Sequence, residues 1–173
     1  MKKLFTLALL ATGLMTLQAQ AQDDKSKRKS PPAATTQKIT NGANIKISYS
    51  QVSLNGRTVG KEVEPKDGQL WRTGANEATV FETDKTINVM GSTIPAGKYS
   101  VFTIYNGQIA TVIFNKKWDQ WGTDSYDITQ DQARFDTKVT PLETTSQKLT
   151  FTISPEGAVA LLWGSKKLEF YIF

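Results

Sequence analysis

A short segment, WRTGANEAT at residues 71–79, concentrates side chains that could bind a ligand. Arg72 presents a planar fork of donors that suits a carboxylate or a phosphate. Glu77 can accept hydrogen bonds or act as a base, Asn76 can donate and accept, and Trp71 offers a face for stacking. These groups predict a site for a sugar or a small anion. The alternative is a buried brace in which Arg72 pairs with Glu77 or with another carboxylate, and the sequence leaves both interpretations open.

A second polar segment, residues 115–134, holds Trp118, Trp121, Tyr126 and four aspartates. Loops of this length in a compact domain are usually functional or disordered. A sugar can stack its C–H face on an aromatic ring while its hydroxyl groups bond to polar side chains, so this segment predicts carbohydrate binding. The alternative is a surface loop that its tryptophans pin to a sheet. The candidate ligand-binding residues are Arg57, Arg72, Asn76, Glu77, Trp121, Tyr126, Asp131 and Arg134.

The chain contains no histidine and no cysteine. This composition excludes the Ser-His-Asp triad, the Cys-His pair and the usual histidine zinc site. Asp127, Thr129 and Asp131 are spaced like the start of a calcium loop, but Gln132 and Lys138 stand where that loop needs a glycine and a glutamate. We therefore predict no metal and no cofactor.

An enzyme of this composition would have to work with carboxylates, Lys, Tyr or Arg, and a pair of carboxylates is the catalytic arrangement that we consider. Glu77 could act with Asp127 or Asp131, provided that the two carboxyl groups lie ~5–9.5 Å apart, as in glycoside hydrolases. The sequence does not give that separation, so a metal-independent hydrolase is the alternative to a binding domain.

Period-two alternation predicts that these residues sit on a β scaffold. Ile45, Ile47 and Tyr49 alternate with polar residues, which is typical of a strand with one buried face. Residues 98–105 are apolar on both parities, as in a strand that is covered on both faces. Asn106-Gly107 then predicts a two-residue hairpin into residues 108–114.

Many short strands separated by turn signals favour a mainly antiparallel β-sandwich, with barrel-like closure as a variant. Ile94-Pro95-Ala96-Gly97 fits a type I turn. The last strand pattern continues to Phe173, so we expect the end of the chain to be anchored. No window predicts a helix of ten or more residues.

The first 21 residues have the three parts of an export signal. Lys2 and Lys3 precede an apolar stretch from Leu4 to Leu17, and Ala19-Gln20-Ala21 supplies the small residues that signal peptidase needs. The apolar stretch is shorter than the ~20 residues of a membrane-spanning helix. We therefore predict a periplasmic or secreted protein without a membrane span.

The positive net charge is concentrated next to that signal. Residues 22–38 hold five basic and two acidic residues and no large apolar ones, which predicts a flexible basic linker. Residues 39–173 hold 14 basic and 14 acidic residues. A folded domain without surplus positive charge argues against nucleic-acid binding.

Several motifs, taken in order, resemble domain-of-unknown-function family 2911, a family of exported bacterial proteins frequent among Bacteroidetes. The resemblance implies a secreted β-domain over about residues 40–173, but it implies no reaction, since no activity is established for that family. The chain departs from the family pattern at residues 106–111 and after Tyr49. The motifs are WRTGANEAT (71–79), IPAGKYSVFTI (94–104), VIFNK (112–116) and WG (121–122), with Tyr49, Gly56, Arg57, Tyr126, Asp131 and Trp163.

The function that these features favour is non-catalytic binding of a glycan or a small anionic component of the cell envelope. Two alternatives stay open. One is the carboxylate-pair hydrolase, and the other is a structural envelope protein whose sheet edge recruits a partner strand.

Overall fold

Alternating apolar residues form strands whose buried faces meet in one core. The computed structural model describes residues 24–173, so the predicted export signal at residues 1–21 lies outside the described residues. Ile45, Ile47 and Tyr49 are all buried, as their spacing predicts. The strands are β1 (Pro32–Lys38), β2 (Asn44–Ser50), β3 (Leu70–Trp71), β4 (Thr79–Thr83), β5 (Ile87–Val89), β6 (Ser92–Ile94), β7 (Gly97–Asn106), β8 (Ile109–Asn115), β9 (Asp131–Ile153) and β10 (Ala158–Tyr171).

Eight of the ten strands form one strongly curled sheet with the shape of a half-barrel. Its order is β1-β2-β4-β7-β8-β9-β10, with β3 paired to β7, and β5 and β6 form a second small sheet. All strand pairs are antiparallel, which confirms the predicted fold class. The curl brings the chain after β2 against β9, where Leu149 N–H donates to the carbonyl of Val52 at 2.8 Å.

The predicted hairpin between β7 and β8 is present, but its two turn residues are Gly107 and Gln108 and not Asn106-Gly107, because Asn106 is still paired with Ile109. Gly107 has a φ of 64°, which the turn requires and glycine adopts without strain. Strand β7 is buried on both faces: Val101 packs into the main core, and Phe102 packs into a smaller cluster on the opposite face. Tyr126, from the polar loop of residues 116–130, packs against this smaller cluster.

Residues 32–38 differ from the prediction of a flexible linker, because they form the edge strand β1. This strand pairs with β2 from Pro32↔Ser50 to Lys38↔Asn44. Its side chains are small or polar and at most half-buried. Backbone hydrogen bonds need no large apolar side chains, and for that reason composition alone was misleading here.

The C-terminal residue is anchored as predicted. Phe173 N–H donates to the carbonyl of Asn88 at 2.8 Å, and Asn88 N–H donates to the carbonyl of Phe173 at 2.9 Å. The other regular elements are two short 3-10 helices, Lys25–Lys27 and Ile128–Gln130. From residue 24 onward, no helix is long and apolar enough to cross a membrane.

Candidate functional site

The two polar segments that the sequence singles out are joined by backbone hydrogen bonds. Ala78 N–H donates to the carbonyl of Gln120 at 3.0 Å, and Gly122 N–H donates to the carbonyl of Asn76 at 3.1 Å. Glu77 and Trp121 face each other across this short antiparallel bridge. Three of the candidate residues, Asn76, Glu77 and Trp121, are therefore adjacent in the structure.

The carboxylate of Glu77 is bound by two cations from the N-terminal segment, residues 24–31. Lys25 Nζ lies 2.8 Å from Glu77 Oε1, and Arg28 Nη1 donates to both carboxylate oxygens at 3.0 Å. Partial burial alone would raise the pKa of Glu77, but the hydrogen bonds from Lys25 and Arg28 outweigh it and lower the pKa to about 2. The Arg28 guanidinium also lies 5.7 Å from the centre of the Trp121 ring.

Arg72 does not pair with Glu77. No acceptor within residues 24–173 takes a hydrogen bond from its guanidinium, and its Nε is buried without a partner. The side chain lines a cavity of about 220 Å³ together with Lys66, Trp71 and Trp163. The interpretation of Arg72 as half of a buried ion pair is therefore wrong.

A brace does exist in this segment, but threonines form it. Thr79 Oγ1 donates to the carbonyl of Thr73 at 2.9 Å, and the hydroxyls of Thr73 and Thr103 lie 3.2 Å apart, all of them buried. Thr73 has a φ of 56° and Asn76 has a φ of 57°, a left-handed conformation that is rare for a β-branched residue such as threonine. These buried hydrogen bonds hold the tight turn of this segment. The sequence signal for this brace was only the recurrence of threonine.

The loop of residues 116–130 is fixed to the sheet by Gln120 and Tyr126. Gln120 Nε2 donates to Ser100 Oγ at 2.9 Å, and the Tyr126 ring packs edge-on against Phe102 at 5.0 Å. Trp118 and Trp121 remain 43% and 58% exposed. The alternative in which the tryptophans pin the loop is therefore wrong, because the loop is anchored while both indoles face solvent.

Tyr126, Asp131 and Arg134 form a second cluster at the base of this loop. The Tyr126 hydroxyl donates to Asp131 Oδ2 at 2.7 Å, and Arg134 Nε lies 3.0 Å from the same oxygen. Asn115 Nδ2 donates to Asp131 Oδ1 at 2.8 Å. Burial, together with the adjacent Asp131, raises the pKa of Tyr126 to about 12. These groups satisfy one another, so the cluster holds the loop.

Arg57 is not part of either cluster. Its guanidinium donates to the carbonyls of Ser53 at 2.7 Å and Leu54 at 2.9 Å, both in its own turn. It therefore stabilises the turn that follows β2. Across residues 24–173 no group of acidic side chains is arranged to hold a metal ion.

A groove of about 230 Å³ runs between the N-terminal segment, β2 and the loop. Trp118 and Gln120 of the loop, Tyr49 and Ser50 of β2, and Lys25 and Glu77 are among the residues that line it. Trp121 is not among them, but it lies opposite Glu77 in the short bridge. Gln120 is buried, and its Oε1 has no hydrogen-bond partner. The sequence analysis did not name Lys25, Arg28 and Gln120 as candidate site residues. The only signal for the two basic residues was the positive charge of residues 22–38, next to a folded part with balanced charge.

The fold and groove describe a small antiparallel β-domain with aromatic side chains exposed on an anchored loop. The family described as "Protein of unknown function (DUF2911)" matches residues 30–172, and the chain belongs to this family. That span begins just before β1, which agrees with the strand assigned there. No curated protein and no solved structure is significantly similar to the chain.

Proposed function

We propose that the protein is a non-catalytic binding domain whose groove accepts a glycan. The observation that carries this proposal is the exposure of Trp118 and Trp121 on a loop that is itself fixed to the sheet. Large aromatic side chains left in solvent on a rigid loop offer stacking faces without an entropy cost for ordering the loop on binding.

The groove also supplies polar partners for sugar hydroxyl groups. Gln120 Oε1 is a buried acceptor without a donor, and Ser50 and Asp119 line the same space. An unsatisfied buried acceptor costs free energy, which a hydroxyl donor from a ligand recovers. An aromatic platform beside such an acceptor suits a sugar better than a purely apolar ligand.

The hydrolase hypothesis gains no support from the carboxylates. Glu77 is held ionised by Lys25 and Arg28, whereas a general acid needs a raised pKa. Asp131 accepts from Tyr126, Asn115 and Arg134. Both carboxylates are therefore committed to partners within the protein.

The direct test is a titration of oligosaccharides against the chain from residue 22 onward, followed by tryptophan fluorescence and calorimetry; the set contains neutral ones, such as fragments of β-glucan, mannan and chitin, and acidic ones, such as oligogalacturonate. We expect binding by one of these glycans and a loss of about tenfold or more in affinity for Trp118→Ala and for Trp121→Ala, because stacking on an anchored aromatic is a typical hot-spot interaction.

The matched control is Tyr171→Ala, because Tyr171 is 43% exposed, like Trp118, but lines a different cavity. It should leave the affinity unchanged. Absence of binding by every glycan, or tryptophan variants that bind as tightly as the wild type, would contradict the proposal.

We also propose that this binding takes place outside the cytoplasm, on the basis of the export signal at residues 1–21. The mass of the protein recovered from an exporting bacterium tests this point. Cleavage after Ala21 is expected, and a full-length cytoplasmic product would contradict it.

A further inference from the structure

The four arginines of the chain differ in one respect: only Arg72 lacks an acceptor among the residues that the structure describes. Arg28 binds Glu77, Arg57 binds two carbonyls of its own turn, and Arg134 binds Asp131. Arg72 Nε is buried with no partner. A buried donor without an acceptor typically costs ~1–3 kcal/mol, and more when the group is charged. Such a group is retained most readily where a ligand supplies the missing acceptor.

The side-chain donors around Arg72 suit an anion. The cavity of about 220 Å³ that it lines also contains Lys66. The indole N–H groups of Trp71 and Trp163 in the same cavity are already used, because they donate to the carbonyls of Gly74 at 3.0 Å and Glu64 at 2.7 Å. The side-chain donors left for a ligand are therefore cationic.

Two carboxylates line the same cavity, and both are engaged. Glu62 accepts from the N–H of Thr58 at 2.8 Å, and Glu64 accepts from the N–H of Lys66 at 2.9 Å. Each is thus bonded within its own turn, and neither forms an ion pair with Arg72.

Gly122 lies beside the guanidinium of Arg72. A Cβ atom at this position would be in ordinary van der Waals contact with Arg72 Nη1, at 3.5 Å. Gly122 directly follows Trp121, and its φ of 63° suits glycine. Arg72 is therefore close to the residue that follows Trp121, the tryptophan that we assign to glycan binding.

We propose that Arg72, assisted by Lys66, is an anion subsite that binds a carboxylate or phosphate group, and that the glycan of the groove is an acidic one. The second half of this inference rests on the proposed function, whereas the anion subsite does not. Arg72 supplies the bidentate fork that matches both oxyanions, and Lys66 adds a point charge.

The test observes the Nε–Hε resonances of the four arginines by NMR, assigned by single Arg→Lys variants, during titration with sodium glucuronate, inorganic phosphate or glucose. We expect the Arg72 resonance to shift saturably with glucuronate, with phosphate or with both, and not with glucose. Arg57 is the internal control, because its guanidinium is already satisfied. A response to glucuronate alone identifies a sugar carboxylate, and a response to phosphate alone identifies a phosphate.

Arg72→Lys, which keeps the charge and loses the fork, should weaken binding of the responding anion about tenfold. Arg57→Lys should leave it unchanged. The inference is overturned if Arg72 shows no saturable shift, or if all four arginines shift equally, as ionic strength alone would cause. If neutral glycans bind but the Arg72 resonance does not shift, the proposed function stands and the anion subsite is wrong. If the Arg72 resonance shifts but no glycan binds, the anion subsite stands and the proposed function is wrong.

Discussion

The guanidinium of Arg28 donates to both carboxylate oxygens of Glu77 at 3.0 Å, although the two residues lie 49 positions apart in the chain. Lys25 adds a third contact to the same carboxylate at 2.8 Å. These contacts hold the N-terminal segment against residues 76–78, and Lys25 is one of the residues that line the groove. The basic residues that follow the predicted export signal are therefore part of the domain structure.

The first prediction concerns the attachment of this segment. Arg28→Gln removes the charge that binds both oxygens of Glu77 and leaves Lys25 as the remaining cation. We expect trypsin to cleave after Lys29 several times faster in this variant, because cleavage requires local release of the backbone. Limited proteolysis with mass spectrometry measures the rate.

Lys27→Gln is the control, since Lys27 is mostly exposed and its salt bridge is to the neighbouring Asp24 at 3.4 Å. It removes one charge and one cleavage site, as Arg28→Gln does. Equal cleavage after Lys29 in the two variants would show that Arg28 does not hold the segment.

The second prediction is a dependence of stability on acid. The pKa of Glu77 is lowered from 4.5 to about 2 in the folded protein, so the folded state favours the ionised carboxylate. Its contribution is fully present above pH 4.5 and is lost as the pH falls towards 2. Because 35% of the side chain is exposed, solvent screening limits the contribution to about 1 kcal/mol.

Urea unfolding of the wild type and Glu77→Gln at pH 6 and at pH 2.5 measures this contribution. The wild type should be the more stable at pH 6, and the difference in free energy of unfolding should shrink at pH 2.5. A difference that does not change with pH would show that the ion pairs make no contribution.

The sequence predicts those strands that show a regular alternation of buried side chains or are joined by a recognisable turn. The spacing of Ile45, Ile47 and Tyr49 predicts β2, and the Asn106-Gly107 pair predicts the hairpin between β7 and β8, because local periodicity and turn chemistry determine these elements. Strand β1 was missed because an edge strand of small and polar residues is held mainly by its backbone ladder. Amino-acid composition indicates how much apolar side-chain surface a segment can bury, whereas the backbone hydrogen bonds between two strands do not depend on that surface.

The sequence predicted several residues that lie together in the structure, but it did not predict which charged side chains form ion pairs. Asn76, Glu77 and Trp121 do converge, yet the partner of Glu77 is Arg28 and not Arg72. A charge pair between distant residues depends on how the sheet curls, which no local pattern specifies. That Arg72 lacks an acceptor likewise depends on the packing of the whole sheet, so the local sequence could not predict it.

The third prediction separates the charged side chains of the 71–79 segment from its brace. Arg72→Met removes an unpaired guanidinium and retains apolar volume, so we expect the midpoint of thermal unfolding to be unchanged or raised. Thr79→Val leaves the buried carbonyl of Thr73 without its donor and should lower the free energy of unfolding by ~1–3 kcal/mol. Calorimetry of the two variants gives both values. A large loss of stability in Arg72→Met would show that the fold needs this side chain, and would contradict its assignment as a ligand subsite.

The fourth prediction concerns the anchoring of the loop. Tyr126→Phe removes the hydroxyl that donates to Asp131 at 2.7 Å and accepts from Arg134 at 3.2 Å, while the contact of the ring with Phe102 is kept. Hydrogen exchange of amides in residues 116–130 should become faster, because a hydrogen bond worth ~1 kcal/mol no longer holds the loop closed. Mass spectrometry of the loop peptides measures the rates.

Ionisation of the same hydroxyl should weaken the anchoring of the loop at alkaline pH. The pKa of Tyr126 is raised from 10 to about 12, so its contribution to stability is fully present below pH 10 and is lost as the pH rises towards 12. The matched control is Tyr171→Phe, which removes a hydroxyl bonded at 3.0 Å to Glu169, outside the loop. If the loop amides are as well protected in Tyr126→Phe as in this control, Gln120 and the ring contact with Phe102 anchor the loop without the hydroxyl, and the rigidity that we assign to the two indoles does not depend on the hydrogen bonds of Tyr126.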